Sequence, residues 1–279
     1  MTKMKSILIV LVMIGCSCSN QNKSKLDAIA YRIESTINNR QPEYLNSMLS
    51  YKLFLSDAFE FFKPSREDQS MLIRTYKDKF KLGNILLDMT KGTGGITFLK
   101  QDENVIIFNV YSENILNYVE FRFSKELGEF KIEDIYVYSW GCTIAEQMIE
   151  STKVVSKEIG EGIKDHRQQV KLLRGLLDSN KIEEAKIEFA KFSDEFKELN
   201  MIKIIELSIV TRDTLNNETE YINQYIKTNP SSEKFLSYLY FTKAFYEDDC
   251  DHLNMTSKAL SYYTGIDPVL NDYVANCEK

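Results

Sequence analysis

The spacing of apolar residues changes its period twice along this 279-residue chain, and each stretch can fold only as its period allows. From Leu26 onward, apolar residues recur every three or four positions. They are Leu26, Ile29, Ala30, Ile33 and Ile37, then Leu45, Met48 and Leu49, and beyond Pro64 they are Met71, Leu72, Tyr76 and Phe80. Residues so spaced line one face of a helix. At about Ile85 the period falls to two. "GITFLK", "NVIIFNVYS", "LNYVEFRFS" and "EFKIEDIYVYS" are rich in Ile, Val, Phe and Tyr and are bounded by Gly, Asn, Asp or Ser, the pattern of strands joined by short turns. "ILLDM", Ile85 to Met89, reads as a fifth strand. "KELGE" at Lys125 to Glu129 is the clearest hairpin turn, with Gly128 to supply a positive φ. After Trp140-Gly141 the helical period returns and runs to the end. The expected fold is therefore an α+β first half, with helices on one face of a curved antiparallel sheet, followed by an all-α second half.

The last strand carries a conflict. Phe130, Ile132, Asp134, Tyr136 and Tyr138 share one side of a regular strand, whereas Ile135 and Val137 share the other. The apolar side changes near Asp134, and a bulge there would reconcile the two phases. Asp134 is then either an acceptor for local backbone N–H groups or, with Tyr136, the floor of a pocket.

The chain begins with Lys3 and Lys5, then an unbroken apolar run from Ile7 to Ile14. A membrane span needs about 20 such residues, so this run is too short and has the form of a secretory signal peptide. Met13-Ile14-Gly15-Cys16 resembles a bacterial lipobox. The resemblance implies removal of residues 1–15, acylation of Cys16, and a polar tether over residues 16–24. A single acyl chain holds a protein only marginally, whereas several hold it stably. Ser17 in place of Asp resembles the sorting pattern of outer-membrane lipoproteins, and the absence of an acidic cluster after Cys16 favours the periplasmic face.

Without residues 1–15 the chain has 33 basic against 41 acidic side chains, a formal charge of −8. A nucleic-acid partner would require a basic patch, and this balance argues against one. An exported chain can hold disulfides. Cys250 and Cys277 lie on neighbouring helical segments and are either bridged or two reduced, half-buried thiols.

"LLDSNKIEEAKIEFAKFSDEF", Leu176 to Phe196, resembles the turn and second helix of a tetratricopeptide repeat, with Ala185 and Phe189 at packing positions. Pro230 and Pro268 resemble repeat boundaries. This likeness implies a superhelical array over residues 142–279. "NILNYVEFRFSKELGEFKIEDIYVYSWG", Asn114 to Gly141, resembles a segment of bacterial proteins that join a cone-shaped domain, similar to nuclear transport factor 2, to such helices. That second likeness implies a cone over residues 25–141.

Chemistry is sparsely written. "KGTGGITF" at Lys91 to Phe98 lacks the spacing and the Gly-Lys-Ser/Thr of a phosphate loop. "EDDCDH", Glu247 to His252, gathers metal-capable side chains, but consecutive residues rarely converge on one ion. His166 stands alone, and Asp213-Thr214-Leu215 resembles a short O-glycan acceptor motif. Glu120 and Asp134 could pair as carboxylates on adjacent strands. No metal site, cofactor or catalytic activity is expected. The expectation is a lipid-anchored scaffold that binds a protein or peptide, with Tyr225, Tyr240 and Tyr263 on the binding face. The alternative is a small-ligand binder or enzyme that uses a pocket floored by Asp134 and Tyr136.

Overall fold

A computed structural model describes residues 22–90, 94–112, 115–157, 162–210, 223, 232–246 and 249–277. The signal segment, Cys16, Lys91 to Thr93, Asp213 to Leu215 and Tyr225 lie outside them. The chain divides into two compact units. One holds residues up to Phe54 together with Ser65–Asp134, and the other holds Leu55–Pro64 with Ile135–Lys279.

Among the described residues the first unit begins with helix α1 at residues 22–38, so the last three residues of the expected tether, 22–24, are already helical. Leu26, Ala30, Ile33 and Ile37 form its buried stripe, as their spacing requires. Helices α2 (Glu43–Met48) and α3 (Tyr51–Phe54) follow, then α5 (Arg66–Lys79) and α6 (Leu82–Met89); α4 (Ser56–Phe62) belongs to the second unit. Ser65 caps α5, its Oγ accepting the N–H of Asp68 at 3.1 Å. Met71 is exposed and no residue of α5 is fully buried, so its expected inward face is only half covered. The stretch read as a fifth strand is α6. Its Leu82, Gly83 and Leu86 fall on one helical face, and Asn46 Oδ1 accepts the Gly83 N–H at 2.7 Å.

The sheet comprises β1 (Gly95–Asp102), β2 (Val105–Ser112), β3 (Ile115–Glu126), β4 (Glu129–Val137) and β5 (Cys142–Thr143), in that spatial order. β2 and β3 pair antiparallel without interruption from Val105↔Arg122 to Ser112↔Ile115. Phe98 pairs with Phe108, whose ring lies 5.3 Å from Phe121, and Tyr31 of α1 meets Phe98 edge-on at 5.2 Å. One face of the sheet is thus an aromatic layer against α1. At the other end of α1, Asn38 accepts from the Ile96 N–H and donates to the Ile96 carbonyl, both at 2.9 Å, which pins the helix to the start of β1. The one register shift in the β1–β2 ladder falls between Phe98 and Lys100. In β4, Phe130, Ile132 and Asp134 alternate as buried residues, and Ile135 then follows Asp134 directly into the interior. The change of phase that the sequence shows near Asp134 is therefore a change of buried side.

Two expectations are overturned. The sheet is an open meander whose edge strands are β1 and β5, not a curved sheet or an NTF2-like cone. The likeness rested on a strand–turn–strand segment, and such a segment fixes local pairing while leaving curvature and closure undetermined. In the second unit, helices α7 (Ile144–Lys157), α8 (Gly162–Asp178), α9 (Ile182–Ala190), α10 (Asp194–Lys197) and α11 (Asn200–Val210) precede α12 (Glu233–Tyr246), α13 (Cys250–Thr264) and α14 (Pro268–Cys277). Successive helices α8 to α11 have 17, 9, 4 and 11 residues. A solenoid stacks units of one repeating size, and these lengths supply none, so the tetratricopeptide-like array is withdrawn. What binds α8, α9 and α11 is one local core of Leu173, Leu177, Ala185, Phe192, Phe196, Ile202 and Ile205.

Two devices mark the passage from strand to helix. Thr143 and Glu146 form a reciprocal capping box at the start of α7: the Thr143 N–H donates to Glu146 Oε2 at 2.8 Å, and the Glu146 N–H to Thr143 Oγ1 at 3.1 Å. Gly141, at φ 65°, reverses the chain between the 3-10 turn Tyr138–Trp140 and β5. A Cβ on Gly141 would lie 2.6 Å from the ring of buried Phe235. Gly128, at φ 86°, has nothing within 4 Å of that position. Gly141→Ala combines backbone strain with a core clash and is expected to cost about 2–4 kcal/mol. Gly128→Ala meets the strain alone, about 1 kcal/mol. Chemical denaturation of the two variants tests this ordering, and equal losses would contradict it.

Candidate functional surfaces

The expected pocket residues Asp134 and Tyr136 differ in exposure and surroundings. Asp134 is buried and, like Glu120, engaged by neighbouring groups. Tyr136 is half-buried. Its hydroxyl shares a 2.6 Å hydrogen bond with Ser232 Oγ, its ring meets Tyr138 edge-on at 5.4 Å, and Lys234 Nζ sits 5.7 Å above it. Ser232 also accepts the Phe235 N–H at 3.3 Å, so the residue that opens α12 is the one that holds Tyr136. A serine directly before an apolar helical stretch is a cap signal visible in "PSSEKF", but its tie to a tyrosine 96 residues away leaves no trace in the local pattern.

A shallow cavity of about 710 Å³ runs along α8, lined by Gln168, Gln169, Lys171, Leu172, Gly175 and Leu176. Neither Asp134 nor Tyr136 lines it. Its lining is amide, aliphatic and a single lysine, with no acid–base pair.

Tyr240 and Tyr263 are on different footings. Tyr240 is exposed on α12, whereas Tyr263 is half-buried on α13 and its hydroxyl donates to Glu233 Oε2 at 2.8 Å. That bond to a carboxylate, aided by a small burial effect and the nearby charge, raises the Tyr263 hydroxyl above its ordinary value near 10. The tie is therefore intact at neutral pH and is lost only as pH rises through that raised value. The apolar surface that stands out on this helix is Met255 and Tyr262, 60% and 77% exposed, with Ile266 just beyond its end, 80% exposed. Met255 and Tyr262 are seven residues apart and lie on one side. The opposite side, with Leu253, Ser257, Leu260 and Thr264, is buried. Residue type does not mark this surface, since Met255 and Ile266 would suit a core equally well; exposure on one side of the helix does.

Cys250 and Cys277 are joined in a disulfide, their Cα atoms 5.5 Å apart, which ties the start of α13 to the end of α14. Cys142 is buried and is not part of a disulfide. In the "EDDCDH" stretch, Asp249 caps α13: its Oδ1 accepts the His252 N–H at 3.1 Å and its Oδ2 meets His252 Nδ1 at 2.6 Å. Those bonds from the His252 backbone and then its side chain hold the Asp249 carboxyl below the usual carboxylate range. Among the described residues, no group of three or more His, Cys, Asp or Glu side chains converges as a metal site.

No family model, curated protein or solved structure matches this chain.

The disulfide closes a loop over a separation of 27 residues, for which chain entropy gives a contribution of about 3.5 kcal/mol. Replacing both Cys250 and Cys277 by Ser is expected to lower the unfolding free energy by about that amount in denaturant titrations. An unchanged midpoint would show that the segment is held by packing alone.

Proposed function

We propose that the chain is a lipid-anchored cell-envelope protein, held at the outer membrane on its periplasmic face, and that it binds another protein through its helical second unit. The observation that carries the binding reading is the exposure of Met255 and Tyr262 on one side of α13, with exposed Ile266 just beyond its end. Large apolar side chains gathered on one helix face gain by being covered, and such patches mark protein contacts. The anchor rests on Met13-Ile14-Gly15-Cys16. The Cys250–Cys277 disulfide supports the compartment, since structural disulfides persist where the surroundings are oxidising. Binding is proposed over catalysis: His252 is committed to a helix cap, and the described cavity along α8 holds no nucleophile beside a base.

Each of Met255 and Ile266, fully covered by a partner, would contribute roughly 1.5–3 kcal/mol. A Met255→Asp, Ile266→Asp double variant should therefore weaken binding by about a hundredfold or more. A photo-crosslinking residue placed at Tyr262 in cells should give a discrete adduct, absent when the same group is at Glu67 on α5. The double variant should lose the adduct while keeping the parent's circular dichroism. The same products from both positions would contradict the reading. For the anchor, Cys16→Ala should leave the chain unprocessed or soluble; a normally processed, membrane-bound variant would refute it.

A further inference from the structure

We propose that the β3–β4 hairpin is a second membrane contact, its tip residue Leu127 entering the headgroup region of the bilayer to which Cys16 is attached. The inference rests on the lipid-anchor reading and adds a surface to it.

The hairpin projects. β3 meets its last β2 partner at Arg122, its Phe123 N–H still donates to the Asn104 carbonyl of the β1–β2 turn at 2.8 Å, and it runs on to Glu126, three residues further. At 3.3–3.4 Å per residue, the end of the strand stands about 10 Å past that turn. The two-residue turn is Leu127-Gly128, with φ 52° and 86°, both positive as a type I′ turn requires. Asn-Gly is the pair that suits this geometry best. Leucine is a poor choice on backbone grounds, since a non-glycine residue at positive φ is strained. It gains nothing from the fold either, because Leu127 is 101% exposed, the most exposed large apolar side chain among the described residues. A strained and fully solvated leucine at the projecting end of a sheet points to something outside the fold that covers it.

The position of the tether identifies that partner. Lys125, two residues from the tip, reaches Asn22 at the first turn of α1, Nζ to Oδ1 at 3.1 Å. The chain therefore enters the fold beside the hairpin. From Cys16 to Asn22 is six residues, which span at most about 20 Å when fully extended. An acylated Cys16 would keep the hairpin within that distance of the bilayer. Lys125 is exposed beside the tip, and Lys23 and Lys25 are exposed in the same turn of α1 as Asn22, where ammonium groups can stay among phosphates while an apolar residue goes deeper; Glu126 and Glu129 flank the turn. Glu129, across the turn, is paired with Lys131 at 3.6 Å.

The test uses the full-length lipidated protein in vesicles of phosphatidylethanolamine and phosphatidylglycerol. Leu127→Trp is compared with Asn104→Trp on the shorter turn at the same end, and the wild-type signal of Trp140 is subtracted. The expected result is blue-shifted emission from position 127, quenched severalfold by lipids with a shallow doxyl group, with aqueous, unquenched emission from position 104. Emission from position 127 like that in water, in protein that co-sediments with the vesicles, overturns the hairpin contact and leaves the anchor standing. Protein that does not co-sediment overturns both. Leu127→Asn supplies the control on folding: its thermal midpoint should match or exceed the wild type's, and a clear fall would show that the leucine serves the fold and would end the proposal.

Discussion

The uninterrupted pairing of β2 with β3 is the constraint on which the first unit depends. Eight consecutive partners fix which residues face which side, and a slip of one residue would put Phe121 on the opposite face of the sheet from Phe108. With that register set, Phe98 can reach Phe108, Tyr31 can reach Phe98, and the stripe of Leu26, Ala30, Ile33 and Ile37 has a layer to cover. The same register sets the overhang of β3 beyond β2, and with it the projection of the β3–β4 turn. A feature proposed to touch the membrane is thus a consequence of how the core is paired.

What could be read from the residues follows from how local the physics is. The buried stripe of α1 and four of the strands are written in their own periods. The turn at Leu127-Gly128 is written in one glycine. The region of Ile85 to Met89 fits a strand or a buried helix equally as a short apolar run; in the fold it is a helix whose Leu82 and Leu86 are buried on one face and whose Gly83 N–H is accepted by Asn46. Curvature was not legible, because alternating side chains look the same in a flat and a coned sheet. Nor was the lack of a repeating size among the described helices, because Ala185 and Phe189 describe one helix pair and say nothing of the next. Thr143-Ile144-Ala145-Glu146 has the spacing of a capping box and is legible in the residues alone. The tie of Tyr136 to Ser232 was not, since it joins residues that only the fold brings together.

The functional surfaces divide in a similar way. Cys16 is a sequence motif and needs no fold to be recognised. The apolar surface at Met255, Tyr262 and Ile266 is visible only as exposure, because its residue types alone would suit a core equally well. The disulfide lies between these cases. Two cysteines on neighbouring segments left bridged and reduced forms open, and the fold brings them to bonding distance. The disulfide, the lipobox-like motif and the uncovered apolar helix face are each consistent with the proposal of a protein held at a membrane to meet a partner.

The central claim, that this chain works as a disulfide-bonded lipoprotein, is tested most directly by the intact mass of the native protein purified from membranes and alkylated without reductant. The account predicts a chain that begins at Cys16, carries acyl groups there, and leaves Cys250 and Cys277 unalkylated. A chain that retains residues 1–15, or one that lacks lipid and is alkylated at both of those cysteines, would contradict it.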